Sequence, residues 1–509
     1  MRHRPYDRLM SLTGASSGDV ALTGRELAVH VYAPVRGPHS ERAYAFLCEV
    51  WARWRSTLGA DAPIAAFGIP DLPSANRTDV VGNGLVVAQE SSGPGVCQTI
   101  LQREHDVLCL SGMIAPLSSD EVSWADLDRS WTQVCGAVPE GLLGIARLYL
   151  AKLGGDRQQR VAATARLARS WRADLPAAPA VHDFDGRGVT TRAGFAVWEV
   201  GSRDDTRLER RIVVVAPPDR DAELSAWVWS RGDDALTPFA WYLLHAAKLR
   251  YHLRVWASGE ELRERRRQLD SEVDTLDALI AAGEGAWAGP RGGEGAGPLG
   301  EHVLRVEAAA ARLARATAYV RDMRRSVAIA ASNLETRAAR DVDPAVRRCL
   351  FADDRDLAAW FARQLADDES YLDEAYGRAS LIGGLARSVL ARQAGARSSA
   401  THNGSAEDAV PSPLSPAERD TLVRALARAF PSDALAHRVL HTLGIPSERR
   451  RSATDSTPLA AWSETLHDLD NGIVADPYPR LLRAALGDFP HNPTFRELGA
   501  HFGVVGPGT

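Results

Sequence analysis

Ten positions step alternately by three and four residues: Val303, Val306, Ala310, Leu313, Thr317, Val320, Arg324, Val327, Ala331 and Leu334. Only a helix of many turns turns that spacing into a single narrow stripe. A stripe so narrow needs partner helices to cover it. Phe239 to Ala282 contains no proline and a single glycine, Gly259, with Leu262, Leu269, Val273, Leu276 and Ile280 in heptad register. Thr237-Pro238 supplies an N-cap and a proline at the first helical position. A third helix is expected from Leu357 to Arg392. Residues 237–392 therefore read as a long antiparallel helical bundle.

The chain ahead of it has a different period. Leu27–Pro34, Gly84–Glu90, Asp106–Pro116 and Gly144–Leu153 read as strands. Two helices are expected between them. One is His39–Leu58, with Tyr44, Leu47, Trp51 and Trp54 on its inner face; the other opens at the capping box Ser123-Trp-Ala-Asp. Strand, helix, strand, strand, helix, strand is the order of ferredoxin-like elements, with helices on one face of an antiparallel sheet. Further strands are expected at Gly194–Gly201 and Arg210–Pro217, and helices at Asp156–Ala173 and Asp219–Ser230. A strand ending in Ala-Pro before a Trp-bearing helix occurs at Leu27–Trp54 and at Arg210–Trp229, which suggests an internal repeat. Residues 25–236 form an α+β domain on this reading, after a flexible tail at 1–24.

Residues 393–413 carry Gly395, Ser398, Ser399, Gly404, Ser405, Pro411 and Pro413 without periodicity, as a linker does. Short capped helices then fill 414–500. Their inner positions are Leu422, Leu426, Phe430, Leu440, Trp462, Leu466, Leu481 and Leu482.

Sixty basic residues against 65 acidic ones give a net charge of −5, which disfavours a nucleic-acid binder driven by bulk charge. The longest runs free of charged residues are 13 residues, Val107–Ser119 and Ala235–Ala247, whereas a spanning helix needs roughly 18. The start leads into no apolar run, so no signal peptide is expected. Cys48, Cys97, Cys109, Cys135 and Cys349 are scattered and read as reduced core residues of a cytoplasmic protein.

Chemistry-bearing patterns are sparse. Gly14-Ala-Ser16-Ser-Gly18 has the nucleophile-elbow spacing but lies in a polar tail rather than between strand and helix. Gly292–Gly297 is glycine-rich but follows a helix and lacks a phosphate-loop lysine. Cys97 with His105 as nucleophile and base, and His182, Asp183 and Asp185 as metal ligands, are weaker readings than packing and a hairpin turn. Arg263–Arg267 reads as a solvated run. Tyr242, His245, Lys248, Tyr251, His252 and Trp256 form a polar-aromatic patch, either a surface between helix and sheet or a small-ligand contact. No catalytic residue, cofactor or metal site is expected.

The pattern Leu422, Leu426, Phe430, Leu440, Gly444-Ile445, Trp462, Leu466, Leu469, Gly472, Leu481-Leu482, Phe489-Pro490, Asn492 resembles effector-associated domain 1 over Leu414–Gly499. The resemblance implies a death-fold-like helical adaptor of bacterial conflict systems, whose copies on different proteins pair and bring an effector to a sensor. Leu27–Pro34, Asp106–Pro116, Trp124–Trp131 and Phe239–Trp256 resemble the CATRA (caspase and TPR repeat-associated) proteins of the same systems, over Leu27–Arg392. That implies a non-enzymatic partner of a caspase-like or other protease.

The expected function is thus an adaptor or sensor that recruits such an effector, caspase-like or trypsin-like, through its C-terminal domain. Arg449, Arg450 and Arg451 in one loop would meet Glu464, Asp468, Asp470 and Asp476 of another copy. The alternatives are a hydrolase with an undetected site in the α+β domain, and a self-assembling helical scaffold.

Overall fold

The computed structural model describes residues 21–117, 121–154, 161–176, 186–286, 296–401, 414–443, 458–470, 474 and 476–504. The chain divides into two units, Met1–Ala394 and Gly395–Thr509. The expected nucleophile elbow, His182/Asp183/Asp185, most of the Gly292–Gly297 turn and Arg449–Arg451 lie outside the described residues.

Nine strands among the described residues form one mixed sheet. In chain order they are β1 Leu22–Pro34, β2 Ala62–Pro63, β3 Gly84–Glu90, β4 Val96–Glu104, β5 Val107–Ala115, β6 Gly144–Leu153, β7 Val189–Thr190, β8 Ala196–Val200 and β9 Glu209–Ala216. Their order across the sheet is β2-β3-β4-β5-β1-β6-β9-β8-β7, antiparallel except for β6 with β9.

The four expected strands are all present, and the ferredoxin-like plan holds in the middle of the sheet with one strand exchanged. The plan runs through β1, the helix Ser40–Leu58, β4, β5, the helix Trp124–Cys135 and β6, whose order across the sheet, β4-β5-β1-β6, is antiparallel throughout; its second strand is β4 rather than the expected Gly84–Glu90, which lies outside it as β3. Glu104 pairs with Val107 across the two-residue turn His105-Asp106, with His105 at φ 52°. A turn of this kind usually announces itself by glycine or asparagine, and here neither is present. β1 also starts at Leu22, inside the expected tail, bending at Gly24 (φ 61°) where its register with β6 shifts.

Helices cover both faces of the sheet, not one. Leu27, Val29, Val31 and Ala33 point to a core shared with α1 (Ser40–Leu58), α2 (Trp124–Cys135) and α3 (Ala165–Trp171). Ala28 and Tyr32 point the other way, to α4 (Asp221–Val228) and α5 (Pro238–Trp256). Strands buried on two faces read as continuous apolar runs, as β5 does. Trp54 of α1 lies so close over Gly112 that a Cβ there would fall 2.1 Å from its ring. The Ser123 capping box forms, with Asp126 accepting from the Ser123 backbone and hydroxyl. The two Ala-Pro strand ends do not repeat structurally: α1 packs on one face and α4 on the other.

The expected uninterrupted helix from Phe239 breaks at Ala257–Gly259, with Ala257 at φ 45°. α5 ends there and α6 (Glu260–Ala286) begins; α7 (Ala296–Asp341) and α8 (Leu350–Thr401) follow. The ion pairs Arg321–Glu369 and Arg387–Glu307 run α7 antiparallel to α8, while Arg378–Asp270 and the Arg266–Tyr371 contact run α6 parallel to α8. α8 continues nine residues into the expected linker. The α7 stripe is buried at Val303, Val306, Leu313, Thr317, Val320, Val327 and Leu334, with Ala310 and Ala331 half-buried and Met323 facing inward in place of Arg324. Its core is continuous with the sheet's second face, from Ala28 to Val389. Among the described residues no helix is long and apolar enough to cross a membrane.

The second unit contains α9 (Pro416–Ala429), α10 (Asp433–Thr442), α11 (Pro458–Asp470), α12 (Pro477–Asp488) and α13 (Pro493–His501). Ser415 and Glu418 close a capping box at the start of α9. Leu422, Leu426, Phe430, Leu440, Trp462, Leu466, Leu481 and Leu482 share one buried cluster.

Candidate functional site

The densest polar feature is a buried ionic clasp that sequence reading did not find. Asp354, near the start of α8, is fully buried. Its Oδ2 accepts from Arg210 of β9 at 2.8 Å and from the Tyr242 hydroxyl of α5 at 2.7 Å. Its Oδ1 lies 2.7 Å from Arg250, also on α5. Arg210 reaches on to Glu199 of β8 with two bonds of 2.7 Å, and Arg207 donates to the same carboxylate at 3.0 and 3.1 Å. The clasp ties three parts of the chain: β8–β9, α5 and α8. Despite its burial, the guanidinium groups of Arg210 and Arg250 hold the Asp354 carboxyl well below the usual carboxylate range. Burial pushes Tyr242 well above its ordinary range. The clasp lies beneath a cleft of about 530 Å³ lined by Arg187, Glu199, Arg207, Asp353 and Trp360. Its guanidinium and carboxylate groups are bonded to one another, so its chemistry is that of a fixed link.

The polar-aromatic patch of α5 is divided. Tyr242 enters the clasp and Trp256 donates to Asp368 at 2.7 Å. His245, Lys248, Tyr251 and His252 line a second cleft of about 590 Å³, between the β4–β5 turn and α7. Lys248 pairs with Asp106 at 2.6 Å, and Asn333 lies 3.1 Å from His245 Nε2. Burial, with Lys248 nearby, holds His245 and His252 down at about 4.

His30 in β1 is neutral for the same first reason. Burial lowers it to about 4, its Nε2 donates to Val228 O at 3.0 Å, and Ser111 lies 2.8 Å from Nδ1. The unfolded chain therefore takes up these protons first. Stability from the three histidines is complete above about pH 6.5 and is lost as pH falls from there towards 4. For His30 alone the loss is on the order of 3 kcal/mol. Urea midpoints measured across that range should fall with decreasing pH, and less steeply in His30→Gln; an unchanged slope would show that His30 does not carry it.

The remaining candidates separate in space. Cys97 and His105 stand at opposite ends of β4 and cannot act together. All five cysteines are free thiols; Cys109, Cys135 and Cys349 are buried and Cys48 and Cys97 partly so. Arg263, Arg265 and Arg267 pair with Glu260, Glu261 and Glu264 on their own helix, which is a solvated run. Among the described residues no group of three or more His, Cys, Asp or Glu side chains could hold a metal.

In the second unit, Glu464 and Asp468 lie one turn apart on α11. Asp470 is tied within the bundle, to Arg419 and to the Tyr478 hydroxyl. Asp476 is the residue before α12, at φ 49°. Trp462 is buried against Phe430, and its indole N–H donates to the Phe430 carbonyl at 3.3 Å.

A mixed sheet and a helical bundle that share one core, followed by a separate helical unit, define a multidomain α+β protein. Residues 26–232 match the CASPASE and TPR Repeat-Associated N-terminal domain, CATRA-N, and residues 237–379 match the corresponding C-terminal domain, CATRA-C. Residues 412–503 match effector-associated domain 1. The chain belongs to the CATRA family and carries an effector-associated domain at its C-terminal end. No curated protein and no solved structure matches it.

Proposed function

We propose that this protein is a non-enzymatic adaptor or sensor of a bacterial conflict system. Its body holds a partner or detects a trigger. Its C-terminal domain, death-fold-like in its logic, recruits an effector such as a caspase-like or trypsin-like protease by pairing with a matching domain. The observation that carries this reading is a helical unit with its own core, matched by effector-associated domain 1, on a body matched by both CATRA domains. Tethering such a module to a large body raises the effective concentration of whatever it recruits.

In this reading the basic run Arg449–Arg451 of one copy meets Glu464, Asp468 and Asp476 of the other. Asp470 supports its own bundle instead, through Arg419 and Tyr478. A contact between two different surfaces can propagate along a chain of copies.

Calorimetry with an effector carrying the matching domain, encoded by the same organism, tests this. The full chain should bind. Charge reversal of Arg449, Arg450 and Arg451 to Glu should weaken binding about tenfold or more while the unfolding midpoint stays unchanged. Binding that survives the reversal discards the charge geometry and keeps the adaptor. Absence of binding to any effector with such a domain discards the adaptor.

A second reading, self-assembly through the bundle, draws on side chains that stay exposed on its helices: Leu304 and Ile329 of α7 and Leu381 and Leu385 of α8. An oligomer that persists after removal of residues 412–509 would favour it.

A further inference from the structure

The break between α5 and α6 creates a hollow apart from the clasp. Ala257 adopts φ 45° and Gly259 φ 69°, which turns the chain so that the end of α5 and the start of α6 both face α7. A left-handed alanine costs on the order of 1 kcal/mol, and strain of this kind concentrates at functional places. The hollow has a volume of about 310 Å³. That is the lower end of the range for small-molecule sites, roughly 300–1,000 Å³, and too small for a partner's helix.

Its walls are apolar: Val255, Trp256, Leu262, Tyr319 and Met323. Val255 is 40% exposed and Tyr319 53%, so water lies against apolar surface in a concave place. The back wall is preformed. Trp256 is held by its bond to Asp368 and by edge contacts with Trp360 and Phe361. The rim is charged. Arg265 is neutralised by Glu261 at 2.6 Å, whereas Arg315 has no ion-pair partner among the described residues. Apolar walls beneath one uncompensated guanidinium are complementary to a molecule with an apolar body and a single negative charge.

We propose that this hollow binds a small amphiphilic anion, its alkyl or aryl part against Trp256, Tyr319 and Met323 and its carboxylate against Arg315. The site stands independently of the pairing proposed for the C-terminal domain.

Titration calorimetry of the full-length protein tests it, with sodium decanoate below its micelle concentration. Decyltrimethylammonium, with the same tail and the opposite charge, is the matched control. Decanoate should bind saturably, one per chain, about tenfold or more tighter than the cation. Arg315→Glu, at an exposed position, should abolish that preference without moving the unfolding midpoint, and Ala316→Trp should block the hollow. Three results would overturn the proposal: no saturable decanoate binding, equal affinity for the two head groups, or a preference that survives Arg315→Glu. Vesicles of phosphatidylglycerol form the last arm. Sedimentation with vesicles in the absence of free decanoate binding would assign the surface to a membrane and reject the small-molecule site.

Discussion

Replacing Asp354 with alanine is expected to destabilise the first unit by about 3–5 kcal/mol, because it strands buried charges that the carboxylate now holds. Arg210 and Arg250 are almost fully buried, and Tyr242 would lose its acceptor as well. The loss is large because what remains is worse than what was removed: Arg250 is left without a carboxylate in a low-dielectric interior, and Arg210 keeps only Glu199. Urea unfolding followed by tryptophan fluorescence reads it directly. The pH dependence gives an independent check. Arg210 and Arg250 keep Asp354 ionised in the folded state to lower pH than in the unfolded chain. Its contribution is therefore complete above about pH 4 and is lost as pH falls from there towards the folded value. That acid-side loss should shrink in Asp354→Ala and in Asp354→Asn. A stability change under 1 kcal/mol, with the acid slope unaltered, would mean that water reaches the clasp and relieves the stranded charges.

Trp462→Ala is expected to remove about 3–5 kcal/mol from the second unit. The indole is 2% exposed, lies against Phe430 and bonds its carbonyl. A small domain has little stability in reserve, roughly 5 kcal/mol at the low end. The variant should therefore unfold its helical module near ambient temperature. Calorimetric scanning of the full chain should lose one transition and keep that of the body. Effector binding should disappear with it. If the body's transition fell equally, the two units would be one cooperative block, against the separate cores seen here.

These two substitutions mark the limits of what could be read from the chain. Trp462, Leu466, Leu481 and Leu482 were legible because helical spacing and caps such as Ser415-Pro-Ala-Glu are signals within a few residues. Strands β3 and β6 were legible to the residue for a similar reason, being apolar runs between breakers. β4 was missed because Gln98, Gln102 and Arg103 interrupt its apolar residues and its turn carries no glycine. The break at Ala257 was missed because an alanine gives no warning of a left-handed backbone.

Asp354 and its partners left no trace in the sequence. Glu199, Arg207, Arg210, Arg250 and Asp354 look like ordinary surface charges, and Asp354 meets Arg210 across 144 positions. The local pattern by itself determined most of the helices and strands and which family the chain belongs to, because hydrophobic period, capping and turn chemistry act over short separations. Tertiary structure alone decided that both faces of the sheet are covered, that the sheet and bundle share a core, that charges from four elements meet in one buried clasp, and that the α5 patch divides among three places. Burial is a property of the assembled chain, and the penalty for an unpaired buried charge exists only once distant segments have closed around it.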